Sequence, residues 1–187
     1  MLDKQLVTLG SAIGILAMGA CFLPPSRSRS YPLPPYLGSI QTIAINVEDV
    51  TGANTMKSES MSTETAASFN RQWSEFPIHA VPQRADAQSD VVLHIVVTQK
   101  SFSHLRSAGN RELWEFQISS ELTLTSKDGR ILWSKPNRAT RLSRWFAASA
   151  GMPSWNDRGV TRDVAYDLAM NGGAFLTNST GVSRGRP

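Results

Sequence analysis

Residues 113–125 place the tightest limit on how this chain folds. Trp114, Phe116, Ile118, Leu122 and Leu124 share one parity, and Glu115, Gln117, Ser119, Glu121 and Thr123 share the other. A period of two puts the apolar set on one side of an extended chain, which predicts an antiparallel strand with one wet face. Lys127-Asp128-Gly129-Arg130 then carries the Asp-Gly signal of a tight hairpin. Residues 131–134 form the return strand, resuming after Pro136 through Leu142. Upstream, residues 91–98 (VVLHIVVT) are nearly all β-branched, predicting a central strand buried on both faces. A polar loop over residues 103–111 is expected to join the two.

The flanks add helices. Residues 39–47 (SIQTIAINV) alternate through Ile43, Ile45 and Val47, a half-buried strand that ends at Thr51-Gly52. From about residue 55 to 76 the period changes. Phe69, Trp73 and Phe76 fall four and three apart, with Ala66 one turn before, and Pro77 stops the helix. A short strand over 78–81 is closed by Pro82, and residues 84–90 form a polar turn. Residues 143–153 read as irregular. Residues 157–170 predict a second helix, with Val160, Val164 and Leu168 in line and Asp157 as its cap. Gly172-Gly173 weakens any continuation, although Phe175 and Leu176 still have apolar surface to dock. The order β-α-β-β-β-β-α implies an α+β domain, with two helices on one face of a mixed four- to five-stranded sheet.

The amino-terminal residues do not belong to that domain. Lys4 precedes residues 6–18 (LVTLGSAIGILAM), an uncharged stretch with the length of a signal-peptide core, about 7–15 residues. It falls short of the ~20 residues a spanning helix needs. Met18-Gly19-Ala20-Cys21 follows and resembles the lipobox of bacterial lipoproteins, with Met18 where Leu is usual. The competing reading is a buried helix whose cysteine packs as a small hydrophobe. The expected organisation is a signal peptide over 1–20, a lipidated Cys21 with a Pro-rich tether over 21–38, a folded domain over 39–176, and a disordered polar tail over 177–187. Several acyl chains anchor a protein stably where one binds marginally.

Composition narrows the chemistry. Cys21 is the only cysteine, so the processed chain has no internal disulfide, no thiolate metal site and no cysteine nucleophile. His79, His94 and His104 lie in separate segments without metal-ligand spacing. No Gly-x-Ser-x-Gly elbow and no phosphate-cradling glycine loop occur, and Asp86 and Asp90 read as a solvated turn. No catalytic residue, metal or cofactor is therefore expected, and the chain is read as no enzyme. A formal charge of +4 and a pI near 9.6 favour acidic surroundings; export makes nucleic acid the weakest choice among them. Lys127, Arg130, Lys135, Arg138, Arg141 and Arg144 lie close together with Asp128 as the one acid between them, and Arg106 and Arg111 flank the preceding loop. The hairpin separates these groups into two patches at opposite ends of the 113–125 strand.

Cys21 in its lipobox, residues 37–45 (LGSIQTIAI), residues 85–93 (ADAQSDVVL) and residues 129–137 (GRILWSKPN), in that order, carry a resemblance to a known family. The chain resembles the lipopolysaccharide-assembly lipoprotein LptE, in the divergent form found outside the enterobacteria, over roughly residues 21–176. It departs from that family in its shorter last helix, interrupted by Gly172-Gly173. The resemblance implies a lipoprotein on the periplasmic side of the outer membrane, a plug and assembly partner of the β-barrel LptD in lipopolysaccharide transport. Arginine suits bidentate phosphate contacts. Arg106 and Arg111, or else Lys127 and Arg130, are then the candidate contacts for lipopolysaccharide, ordinary solvated strand ends being the alternative. A periplasmic lipoprotein that activates or assembles a peptidoglycan synthase or a secretion channel is the other functional class in view.

Overall fold

The structure, a computed structural model, describes residues 31–52, 55–84 and 88–177. The expected signal peptide, Cys21 with most of its expected tether, and the expected tail after Thr177 lie outside those residues. Seven main elements follow in order: β1 (Thr42–Asp49), α1 (Ser58–Gln72), β2 (His79–Pro82), β3 (Val91–Ala108), β4 (Arg111–Ser126), β5 (Ile131–Ala147) and α2 (Arg158–Gly172). The sheet runs β2-β1-β3-β4-β5. β1 is parallel to both neighbours, while β3, β4 and β5 are antiparallel. Two helices cover one face of this mixed five-stranded sheet, the α+β architecture that the patterning predicts.

The core forms where the period-2 and period-3.6 faces meet. Ile43, Ile45, Leu93, Ile95, Phe116, Leu122 and Leu124 from the sheet are fully buried against Phe69 of α1 and Val164 and Leu168 of α2. Each such side chain contributes roughly 1.5–3 kcal/mol by leaving water. α1 packs on β1, β2 and α2, whereas α2 also reaches β3 and β5. Asn70 of α1 serves the outer edge of β2. Its amide donates to the Ala80 carbonyl at 2.8 Å and accepts the Ala80 N–H at 2.7 Å. Edge groups that would otherwise lack a strand partner are thereby satisfied.

Several expectations need correction. β3 is central but not buried on both faces: Val91, Leu93, Ile95 and Val97 are buried, while Val92, His94 and Val96 are only half-buried. No second layer covers that side among the described residues, so the β-branched run fits a pleated strand without implying two-sided burial. The 103–111 segment is not a loop. β3 continues through it to Ala108 and turns at Gly109, whose φ is +58°. β5 likewise runs unbroken to Ala147, past Pro136 and through residues 143–147 of the segment read as irregular. Pro136 is tolerated because β5 is an edge strand. α1 ends at Gln72 rather than near Pro77, and α2 continues two residues beyond Met170. Asp157 does occupy the cap position of α2, but its carboxylate accepts the Ser154 N–H at 2.8 Å instead of a helix N–H.

Gly172-Gly173 has a packing role. A Cβ on Gly173 would lie 2.1 Å from the Trp73 indole nitrogen, and one on Gly172 would lie 2.9 Å from Leu93. The bare backbone lets Trp73 donate to the Ala169 carbonyl at 3.0 Å. Beyond the pair, Phe175 and Leu176 are buried as expected. Residues 31–38 pack onto the same region: the Tyr36 hydroxyl donates to the Phe175 carbonyl at 2.6 Å, and the Tyr31 N–H donates to the Glu75 carbonyl at 2.8 Å. Burial at that contact pushes the Tyr36 phenol up to about 12.

Candidate functional site

The candidate site is built on the part of the sheet that outruns β1. β1 last pairs with β3 at Asp49 and Val97. Beyond that point β3, β4 and β5 continue as a three-stranded arm to the turn at residues 109–110. Two register shifts in β3 decide which way its side chains face. The first, between Val97 and Gln99, places Lys100 opposite Ile118, on the helix side. The second, between His104 and Arg106, makes Leu105 the extra residue and turns Arg106 to the open side, opposite Leu113. Bulges re-aim side chains in this manner.

On the open side, Leu113 of β4 pairs with Trp145 of β5. The Arg106 guanidinium lies 5.3 Å from the centre of the Trp145 ring. Such stacking orders the side chain by cation–π attraction while its planar fork of donors stays suited to a carboxylate or phosphate. Arg111 stands two residues before Leu113 on the same face and is exposed, as is Arg141, opposite Gln117. Neither Arg106 nor Arg111 forms an ion pair among the described residues. Arg144 belongs to the fold instead: it binds Asp163 of α2 at 2.8 Å.

On the helix side the arm is pinned by a buried ion pair. Lys100 binds Asp49, and both side chains are almost wholly covered. Asp49 also accepts the Thr51 N–H, the Thr51 hydroxyl and the Met56 N–H at 2.6–3.0 Å. Burial opposes ionisation of Asp49, but the bonds from Lys100, Thr51 and Met56 outweigh it and hold the carboxyl below its usual range. Trp155 closes over this region, 4.3 Å from Phe102 between ring centres, with the Lys100 ammonium 5.7 Å from its own. Asp167 of α2 shows the opposite balance. Burial raises its carboxyl above the usual range, offset only in part by Thr140, Asn137 and Asn171. Its Oδ2 is buried without a hydrogen-bond partner among the described residues.

The other pair of sequence candidates sits far away. Lys127 and Arg130 occupy the β4–β5 turn, at the end of the sheet where β1 and β3 begin. β4 spans sixteen residues between the two turns, or about 50 Å, so Arg106 and Arg111 on one side and Lys127 and Arg130 on the other form two separate surfaces. Lys127 lies 3.8 Å from Asp90, with both groups open to solvent. The Asp90 carboxyl is held low by the backbone N–H groups of Gln41 and Thr42 at 2.9 and 3.0 Å.

The histidines stay apart. His79 is exposed on β2, His94 half-buried on the open face, and His104 lies 5.1 Å from Trp114 between ring centres. Among the described residues no three His, Cys, Asp or Glu side chains gather as a metal site. The sequence reading missed Trp145. Arg141, Ser143 and Trp145 share a parity that becomes visible once β5 is followed past Leu142.

No family model and no curated protein matches the chain. Its structure is similar to a minor lipoprotein from Acinetobacter baumannii, at 9% identity over 79% of this chain and 97% of that one, with a TM-score of 0.41. It is similar also to an uncharacterized lipoprotein B from Nitrosomonas europaea, at 14% identity over 75% and 86% of the two chains, TM-score 0.41. Another is the rare lipoprotein B from Shewanella oneidensis, at 13% identity over 73% and 92%, TM-score 0.32.

Proposed function

We propose that this chain is a lipid-anchored, non-enzymatic subunit of the outer membrane. It seats in an LptD-like β-barrel on the periplasmic side and assists the passage of lipopolysaccharide to the outer leaflet. The observation that carries the reading is the three-stranded arm whose open face presents Arg106, stacked on Trp145, beside the exposed Arg111. A guanidinium ordered as Arg106 is, with a second beside it, matches the phosphates of a lipid A head. The lipobox at Cys21 and the ordered strings shared with the LptE family support the anchor and the partner.

Tagged full-length protein drawn from detergent extracts tests the proposal. A large outer-membrane barrel should co-purify, together with lipopolysaccharide. Arg106→Glu with Arg111→Glu should leave the barrel bound and lower the co-purified lipopolysaccharide several-fold. Recovery of a peptidoglycan synthase or a multimeric pore in place of the barrel would sink the partner assignment. Unchanged lipopolysaccharide in the double variant would sink the role given to the arm.

A further inference from the structure

Both ends of the described chain leave the domain at one place, the end opposite the arm. Tyr31 packs there on Phe76, 5.7 Å between ring centres, and its N–H binds Glu75. Thr177 lines the same small cleft as Tyr31 and Phe76. The β4–β5 turn with Lys127 and Arg130 lies at this end too, since Val91, Ile43 and His79 fall in register with the strand termini beside it. We infer that this end of the domain rests on an anionic lipid leaflet, and that the hairpin bearing Arg106 and Arg111 stands clear of it. The inference rests on the reading of Cys21 as acylated.

Length, charge and apolar surface all favour the leaflet as occupant. Residues 22–30 separate Cys21 from Tyr31 and reach about 30 Å at full extension, less than the roughly 50 Å length of β4. Those nine residues hold Arg27 and Arg29 and no acid; residues 178–187 hold Arg184 and Arg186 and no acid. Both segments attach, through Tyr31 and Thr177, at the end that already shows Lys127 and Arg130. The acids at that end are the partly exposed Asp90, bound to the Gln41 and Thr42 N–H groups and 3.8 Å from Lys127, the exposed Asp128, bound to the Ser126 hydroxyl, and the exposed Glu75. Exposed Tyr31 and Ile131 lie among them. An open cleft of about 530 Å³, lined by Leu33, Ile40, Phe76, Pro77 and Ile78 among others, completes the surface. Cations beside exposed apolar and aromatic groups suit the headgroup layer. Arm cations roughly 50 Å away lie many Debye lengths off, each about 8 Å at physiological salt, and do not feel the leaflet's charge.

The test uses the full lipidated chain with Ile131→Cys or Asn110→Cys, both exposed positions, each new thiol carrying an environment-sensitive dye. The protein is reconstituted in phosphatidylcholine vesicles with and without phosphatidylglycerol, with brominated lipid as quencher. Quenching should be several-fold stronger at position 131 than at position 110. The gap should widen with phosphatidylglycerol and shrink when Lys127→Glu and Arg130→Glu are added. Equal quenching, stronger quenching at 110, or indifference to phosphatidylglycerol overturns the inference. The mass of the amino-terminal peptide separates the two readings. An acylated chain without the gap loses the docking surface and keeps the anchor, whereas an unmodified chain that still shows the gap does the reverse.

Discussion

Two aspartates on this domain respond to pH in opposite directions. Asp49 is held below its ordinary value, so its contribution is complete above the unfolded carboxyl's pKa near 3.9 and is lost as pH falls through its folded pKa. Asp167 is raised, so the folded state is favoured while the group is protonated and loses stability as pH rises through the carboxylate range. Asp49→Asn removes the carboxylate that the covered Lys100 ammonium binds. It should cost about 3 kcal/mol in urea unfolding at neutral pH, the scale for breaking a buried pair. Asp167→Asn should instead raise the thermal midpoint at neutral pH and give no gain near pH 3, roughly a unit below the free carboxyl's pKa. A midpoint difference between Asp167→Asn and the parent chain that does not change with pH would show that Oδ2 is solvated in the native protein.

The helix ends supply a sharper contrast between two glycines. Gly173→Ala drives a methyl group into the ring of Trp73, whereas Gly159→Ala meets only the Arg144 guanidinium at 2.7 Å, the far end of a flexible side chain. The first should destabilise the fold by about 2 kcal/mol through overpacking. The second should stay within about 0.5 kcal/mol, as surface substitutions usually do. Denaturant midpoints for the pair decide the matter, and equal losses would contradict the packing account. The same glycines show where the sequence was legible. Their effect on chain propensity is visible in the string, but the reasons for two in succession are Leu93 beside Gly172 and Trp73 beside Gly173, about eighty and a hundred positions earlier and invisible to local pattern. Parity in residues 113–125 revealed β4 because one side of that strand is dry. The distal halves of β3 and β5 lie between water and a partial cover, so burial no longer marks their parity, and the two bulges of β3 break what remains. The opposite placement of Arg106 and Arg111 from Lys127 and Arg130 followed from the Asp-Gly hairpin alone. The stacking of Arg106 on Trp145 did not, because it depends on the flip at Leu105.

Across the whole molecule, cohesion falls from the helix-covered half to the arm. Residues 91–97 of β3 alternate between buried and half-buried, while nearly all of residues 98–108 are exposed. Local opening follows buried contact density. Backbone amides of residues 103–108 and 143–147 should therefore exchange with deuterium well before those of residues 91–97. Uniform protection along β3 would mean that the arm is held by a surface beyond the described residues. Proximity of residues 31 and 177 has a further consequence for the order in which the chain is written. Nothing in the packing demands that the polypeptide begin and finish where it does: a short bridge between those positions, with a cut at Gly109–Asn110, should yield a circular permutant of unaltered topology. Moving the proposed lipid anchor to that new start should invert the domain relative to a membrane.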